Sequence, residues 1–281
     1  VLLILSVFIS CTKTAEELLE LSENNLQNSK VDLAINDLEK LLKKYPNDSL
    51  ASKAQYKLSS IYLNWKNDPD MGLKQLEVTL KKYNNPVHGK QALDQINEFP
   101  QYLLNKAESL RKQKLLKESV DHLMFMISRY EKHELASKAQ YMLGDVYMND
   151  FRDFTTAIQE YRKVIDKYTE SEQEPHAQFM IGYIYANVIN DEKSAKVEYQ
   201  EFLKKFPNHE LAPSVKFEID YLGKSIEEIP ALKHITPALR YFLLDRIFQK
   251  SNHHNFHPNP ISFQTEFSLQ KQIFWLKDSR C

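Results

Sequence analysis

In "ASKAQYMLGDVYMN" (136–149), Ala139, Leu143, Val146 and Tyr147 recur at i, i+4, i+7 and i+8, one apolar stripe on a helix. A short polar link follows. In "TTAIQEYRKVIDKY" (155–168), Ile158, Tyr161, Val164, Ile165 and Tyr168 then share one face of a second helix. The pair predicts a two-helix unit.

That unit repeats. "ASKAQY" stands at 51–56 and again at 136–141. The aromatic residues Tyr45, Tyr83, Tyr130, Tyr168 and Phe206 are separated by 38, 47, 38 and 38 residues. Ala34, Gly72, Ser119, Ala157 and Ala195 step by the same 38, 47, 38 and 38. Ala54, Ala92, Ala139 and Ala177 agree where they can be compared. Three independent markers with one period are the signature of a repeat architecture, in which each unit buries its apolar face against the next. The third unit carries nine extra residues (47 minus 38), which the markers place after Ala92 and before Ser119. The expected fold is all-α, a solenoid of about five helix-turn-helix repeats near 13–50, 51–88, 89–135, 136–173 and 174–211, closed by a final helix at 212–225. Small residues at Ser59, Gly144 and Gly182 fall where two helices would cross closely. Lys43–Lys44, Lys81–Lys82 and Lys204–Lys205 fall in the last turns of second helices, where cations suit the dipole, and Pro46 and Pro207 stop two of them.

Composition narrows the function. Five Gly in 281 residues are few for β-rich or phosphate-cradling folds, which need glycine in their tight turns. A net charge of −1 supplies no basic excess, so no nucleic-acid partner is expected. GxGxxG, GxxxxGK[ST] and GxSxG are absent. "HELAS" (133–137) and "HELAP" (209–213) open like a zinc-protease helix, yet Ser137 and Pro213 stand where the second His is required. They read as links between repeats. Carboxylates such as Asp145, Glu160 and Glu201 read as solvated helix faces without a recurrent pair. "NHHNFHPNP" (252–260) holds three His but reads as an adventitious metal binder at most. No catalytic residue, metal or cofactor is expected.

The repeated residues resemble the tetratricopeptide repeat (TPR). Its Leu-Gly-x-x-Tyr, Ala, aromatic and closing Pro appear as Leu143, Gly144, Tyr147, Ala157 and Tyr161, and as Ile181, Gly182, Tyr185, Ala195, Tyr199 and Pro207. Repeat two is degenerate but in register at Leu58, Ser59, Tyr62, Gly72 and Leu76. The consensus Trp is absent and one residue is added between the helices. The recurring "YPNDSLASKA" (45–54) and "FPNHELAPSV" (206–215) resemble bacterial envelope TPR proteins. These are the lipoprotein D component of the β-barrel assembly machinery and the periplasmic coordinator of the Tol-Pal system. The resemblance covers about residues 13–225 and implies a superhelical scaffold for other envelope proteins or unfolded outer-membrane protein segments. It also implies that first helices line the groove, through Tyr56, Ser60 and Asn64; Tyr141, Asp145 and Asn149; and Phe179, Tyr183 and Asn187. Two roles stay open for the three Asn, a peptide-backbone ligand or a helix cap. The aromatic residues are partner anchors or inter-repeat packing.

The chain ends are distinct. "VLLILSVFIS" precedes Cys11 and suits the apolar core of a signal peptide, being too short to span a bilayer. Followed by Cys11, it resembles a bacterial lipoprotein signal (1–11), with Cys11 lipidated and the solenoid (12–228) held at the periplasmic side of the outer membrane. Cleavage elsewhere and a plain helix start are the alternatives; the latter would suit a soluble cytoplasmic adaptor. Residues 229–281 read as an irregular tail, since the 38-residue markers stop and Phe occurs six times after Leu239. Either a partner-binding cap or read-through sequence fits it.

Overall fold

A computed structural model describes residues 13–83 and 86–224. The Cys11 segment and the 229–281 tail lie outside the described residues. All regular structure among the described residues is helical, and the chain divides into two compact units, Val1–His133 and Glu134–Cys281.

The first unit contains α1 (Ala15–Gln27), α2 (Val31–Lys44), α3 (Ala51–Asn64), α4 (Pro69–Lys82), α5 (Pro86–Asn97), α6 (Phe99–Lys112) and α7 (Leu116–Arg129). Helix α1 opens with a capping box: Glu17 N–H donates to the Thr14 hydroxyl at 3.2 Å, and Thr14 N–H donates to the Glu17 carboxylate at 2.9 Å. Leu18, Leu38, Leu41, Ala51, Ala54 and Ile61 knit α1, α2 and α3 into one core. Helices α2 and α4 end at the predicted lysine pairs. In the second hairpin the close-approach glycine is on the second helix. A Cβ on Gly72 would collide with Leu63, a buried residue of α3. That is why repeat two has Gly where the other marker positions have Ala or Ser.

The third repeat departs from a two-helix unit. Its extra residues divide the first helix into α5 and α6, broken at Glu98 with Pro100 in the first turn of α6. Helix α5 packs on α4 and α3, the stacking role of a first helix, and carries the marker Ala92 at 0 % exposure. Helix α6 pairs with α7, the hairpin role.

The second unit contains α8 (Ala136–Val146), α9 (Phe154–Lys167), α10 (Gln173–Ile184), α11 (Glu192–Lys205) and α12 (Ala212–Tyr221). Both predicted glycine crossings are present. A Cβ on Gly144 would lie 2.6 Å from the Tyr161 ring, and one on Gly182 would lie 2.5 Å from the Tyr199 ring. Tyr161 and Tyr199 are fully buried by these contacts. Helices α8 and α10 both run on into single π-helical turns, Tyr147–Phe151 and Tyr185–Ile189. Each turn ends in a left-handed residue, Arg152 (φ 57°) or Asn190 (φ 60°). The next N–H then reaches six residues back, from Asp153 to the Tyr147 carbonyl at 2.9 Å and from Asp191 to the Tyr185 carbonyl at 2.8 Å. Asp153 and Asp191 cap the following helices by accepting from Thr156 N–H at 3.0 Å and Ser194 N–H at 3.1 Å. The residue added between the helices, relative to the consensus, is absorbed in this wide turn.

Two stability predictions follow from the packing. Gly182→Ala forces the buried Tyr199 ring to move and is expected to cost about 2–3 kcal/mol. Gly89→Ala places its Cβ 3.7 Å from the Tyr83 carbonyl, an ordinary contact, and should stabilise helix α5 by about 1 kcal/mol. Urea unfolding of both variants checks the contrast. In the first unit, buried His122 donates through Nδ1 to the Glu118 carbonyl at 2.8 Å, while its Nε2 has no partner. Burial lowers the His122 pKa, with Lys106 adding to the effect, against the Glu118 carbonyl and the carboxylates of Asp121 and Asp68. The unfolded chain therefore binds this proton more tightly. The stability contribution is complete above about pH 6.5, the unfolded value, and is lost progressively as pH falls below it towards the lower folded pKa. His122→Leu should flatten that acid limb when urea midpoints are compared at pH 7.5 and 5.5.

Candidate functional site

Helices α3, α8 and α10 each carry the predicted column at i, i+4 and i+8. In the first unit it holds Tyr56, Ser60 and Asn64 of α3. Tyr56 is half-buried, its ring centre 6.1 Å from that of His88, and burial raises its hydroxyl pKa. The Ser60 hydroxyl donates to the Tyr56 carbonyl at 3.3 Å, and Asn64 is exposed at the end of α3.

In the second unit the column holds Tyr141, Asp145 and Asn149, then Phe179, Tyr183 and Asn187. Tyr141 packs 5.3 Å from the Tyr161 ring, and burial followed by the Asp145 charge raises its hydroxyl pKa. His176 stands edge-on to Tyr141 at 6.4 Å and to His209 at 5.4 Å. Burial, then the neighbouring His176, lowers the His209 pKa.

Several positions differ from the sequence expectation. Phe179 does not line an open groove: it is 6 % exposed and packs 6.0 Å from Tyr199 and 6.3 Å from Tyr183. It serves the core because Gly182 brings the Tyr199 ring against α10. Of the two roles open for the asparagines, the amides of Asn149 and Asn187 take the local one and turn back on their own helices. They donate to the carbonyls of Asp145 at 3.0 Å and Tyr183 at 3.2 Å, inside the wide turns. Asp145 and Glu160 are not solvated carboxylates. Asp145 accepts the Tyr161 hydroxyl proton at 2.6 Å. Glu160 is 7 % exposed and accepts from Gln140 Nε2 at 2.7 Å and Lys163 Nζ at 2.7 Å. Glu201 does face solvent, with its side chain 59 % exposed. Cys11 and the histidines of 252–260 lie outside the described residues. Among the described residues there is no group of three or more His, Cys, Asp or Glu able to hold a metal ion.

The same column continues beyond the predicted set. Phe217 and Tyr221 of α12 stand 38 residues after Phe179 and Tyr183, and their rings lie 4.6 Å apart. A further step of the period from Phe179 and Tyr183 would have found them. The face is aromatic, with polar groups largely occupied by the fold, and suits contact with another chain more than chemistry.

The tetratricopeptide repeat family matches residues 18–48, 138–171 and 176–209, which span most of the hairpins α1–α2, α8–α9 and α10–α11. These three segments carry tetratricopeptide repeats. Among solved structures, MamA is 18 % identical over 66 % of this chain and 94 % of its own, with a TM-score of 0.32. A tetratricopeptide repeat protein from Parabacteroides merdae is 13 % identical over 82 % of this chain and 79 % of its own, with a TM-score of 0.34. YrrB, described as a TPR protein with an unusual peptide-binding site, is 17 % identical over 72 % of this chain and 92 % of its own, with a TM-score of 0.33. No curated protein matches the sequence.

If Asp145 acts chiefly as the acceptor for Tyr161, Asp145→Ala should cost about 1–3 kcal/mol by leaving a buried hydroxyl unsatisfied. Tyr161→Phe in the Asp145→Ala background should then cost less than it does in the native chain. A double-mutant cycle measured by urea unfolding checks this.

Proposed function

We propose that this chain is a non-catalytic scaffold that takes segments of other proteins on the outward column of its first helices. We place it on the periplasmic side of a bacterial outer membrane, in outer-membrane protein assembly. The observation that carries the reading is a partly exposed aromatic residue on each of α8, α10 and α12, namely Tyr141, Tyr183, and Phe217 with Tyr221. Tyr and Phe supply contact area at small entropic cost, which makes them common anchors for partner chains.

The envelope location rests on the N-terminal sequence. An apolar run of ten residues leads to Cys11, and no helix among the described residues is long and apolar enough to cross a membrane. Lipidation of Cys11 would supply the anchor, since several acyl chains on one residue hold a protein to a bilayer stably. The phrases at 45–54 and 206–215 resemble the assembly lipoprotein and favour that pathway over envelope constriction.

In bacterial cells, palmitate label is expected on the native chain and not on Cys11→Ala; label that persists in the variant overturns the anchor. A photo-crosslinker in place of Tyr183 should trap a barrel-assembly protein or its substrate. Capture of Tol-Pal components alone would reassign the pathway while leaving the scaffold intact.

A further inference from the structure

Short links join α2 to α3 and α3 to α4, and each pair packs side by side. The C-termini of α2 and α4 therefore lie at the end of the first unit where α3 begins. Tyr45 and Tyr83, which directly follow those two helices, pack against one core. Ser52 and His88, in the first turns of α3 and α5, meet at 3.0 Å. These contacts bring Lys43, Lys44, Lys81 and Lys82, together with Lys90 of α5, to one edge, and all five side chains are exposed.

The positive charge of this edge is not neutralised locally. Among the described residues, Lys43, Lys44, Lys82 and Lys90 have no carboxylate partner, and Lys81 meets only Glu77 at 4.0 Å. Two nearby carboxylates are taken up by the backbone: Glu17 accepts from Thr14 N–H at 2.9 Å and Asp48 from Leu50 N–H at 2.8 Å. Glu16 is exposed beside them. The second unit treats the same repeat positions differently. Lys204 pairs with Glu201 at 3.7 Å and Lys205 with the buried Glu174, while Lys167 is followed by Glu170, Glu172 and Glu174. Cations suit the C-terminus of any helix, yet only in the first unit are these lysine pairs left without a close carboxylate, so the helix dipole alone does not account for them.

Charge complementarity makes the occupant of such an edge a polyanion, and the path of the chain selects which one. The Tyr45 hydroxyl donates to the Lys13 carbonyl at 2.8 Å, so the chain enters α1 beside the lysine pair of α2. Cys11 is two residues further back, a reach of at most about 7 Å. An acyl group on Cys11 would bring a bilayer to this edge. Val87, 58 % exposed at the start of α5, adds an apolar side chain suited to the headgroup boundary. We propose that the edge docks on the anionic headgroups of the membrane that anchors the chain, with the C-termini of α2 and α4 turned toward the lipid. The surface rests on the anchored reading of Cys11 and adds an orientation to it: the anchor holds the chain at the bilayer, and the lysines fix which end of the first unit faces it.

The test uses the full chain carrying Cys11→Ala, so that no acyl group contributes, and vesicles of phosphatidylcholine alone or equimolar with phosphatidylglycerol. Each lysine near an anionic surface strengthens binding about fivefold, and this factor multiplies whatever affinity residues 1–10 supply, so the ratio between the two vesicles reads the lysines. By vesicle co-sedimentation, the chain is expected to prefer the anionic vesicles by about tenfold or more despite its net charge of −1, and high salt should abolish the preference. Lys43→Gln, Lys44→Gln, Lys81→Gln and Lys82→Gln together should remove it with the far-UV circular dichroism unchanged. Lys193→Gln, Lys196→Gln, Lys204→Gln and Lys216→Gln in the second unit change the net charge equally and should leave it intact. Equal binding to both vesicles, a preference that survives the first set, or one lost equally in both sets overturns the edge, while palmitate labelling of Cys11 decides the anchor separately. A decaglutamate peptide that binds the chain as tightly as the anionic vesicles do, through the same four lysines, would assign the edge to an acidic protein segment and overturn the proposal.

Discussion

The second unit depends on a tyrosine ring lying where a side chain would otherwise be. Tyr161 fills the space beside Gly144, and Tyr199 fills the space beside Gly182, each fully buried. The absent Cβ lets two helix backbones approach, and the ring then fills the gap with a large apolar surface. This contact sets the spacing inside each hairpin and so the height of each step in the stack. It also delivers a hydroxyl into the interior, where it needs an acceptor. Tyr161 finds Asp145, whereas the Tyr199 hydroxyl has no acceptor among the described residues.

Polar contacts fix the register that ring packing leaves loose. Gln55, Gln140 and Gln178 each reach across their own hairpin to the residue twenty positions on, bonding Gln75 at 2.5 Å, Glu160 at 2.7 Å and Glu198 at 2.6 Å. Other contacts join one hairpin to the next. Ser52 meets His88 at 3.0 Å, Ser137 donates to Gln173 at 2.7 Å, and Arg162 donates to Glu198 at 2.6 Å. Within the last hairpin, Lys205 and the buried Glu174 add an ion pair between α11 and α10. Sliding a helix by one turn would break such a bond and strand a buried polar group, which disfavours alternative alignments. The apolar core supplies adhesion, and these bonds supply the correct match.

Much of this was visible in the sequence because repetition multiplies weak signals. A single Leu-Gly-x-x-Tyr says little, but markers in step from Ala34 to Ala195 predict the hairpins, and Gly144 and Gly182 mark their crossings. Other features were hidden for physical reasons. Glu160 has the spacing of a surface carboxylate, and only the three-dimensional pairing with Gln140 reveals it as interior. The roles of Asn149 and Asn187 depend on wide turns, which arise from hydrogen-bond geometry and leave no clear compositional trace. Phe179 reads as an outward anchor until the position of the Tyr199 ring is known.

The divided first helix of the third repeat has a geometric origin. A helix advances about 100° per residue, so nine residues amount to about two and a half turns. Nine is therefore close to the least favourable insertion length for a continuous helix. Had α5 and α6 stayed one rod, the side bearing Ala92 and the side bearing Ala107 would have rotated half a revolution out of phase. Either stacking on α4 or pairing with α7 would have been lost. The break at Glu98 decouples the two angular settings, and Pro100 favours a fresh helical start there. Phase, rather than length, explains why the insertion appears as a joint. By the same reckoning, seven or eleven added residues would rotate the two faces by only about 20° and could pass as a simple extension.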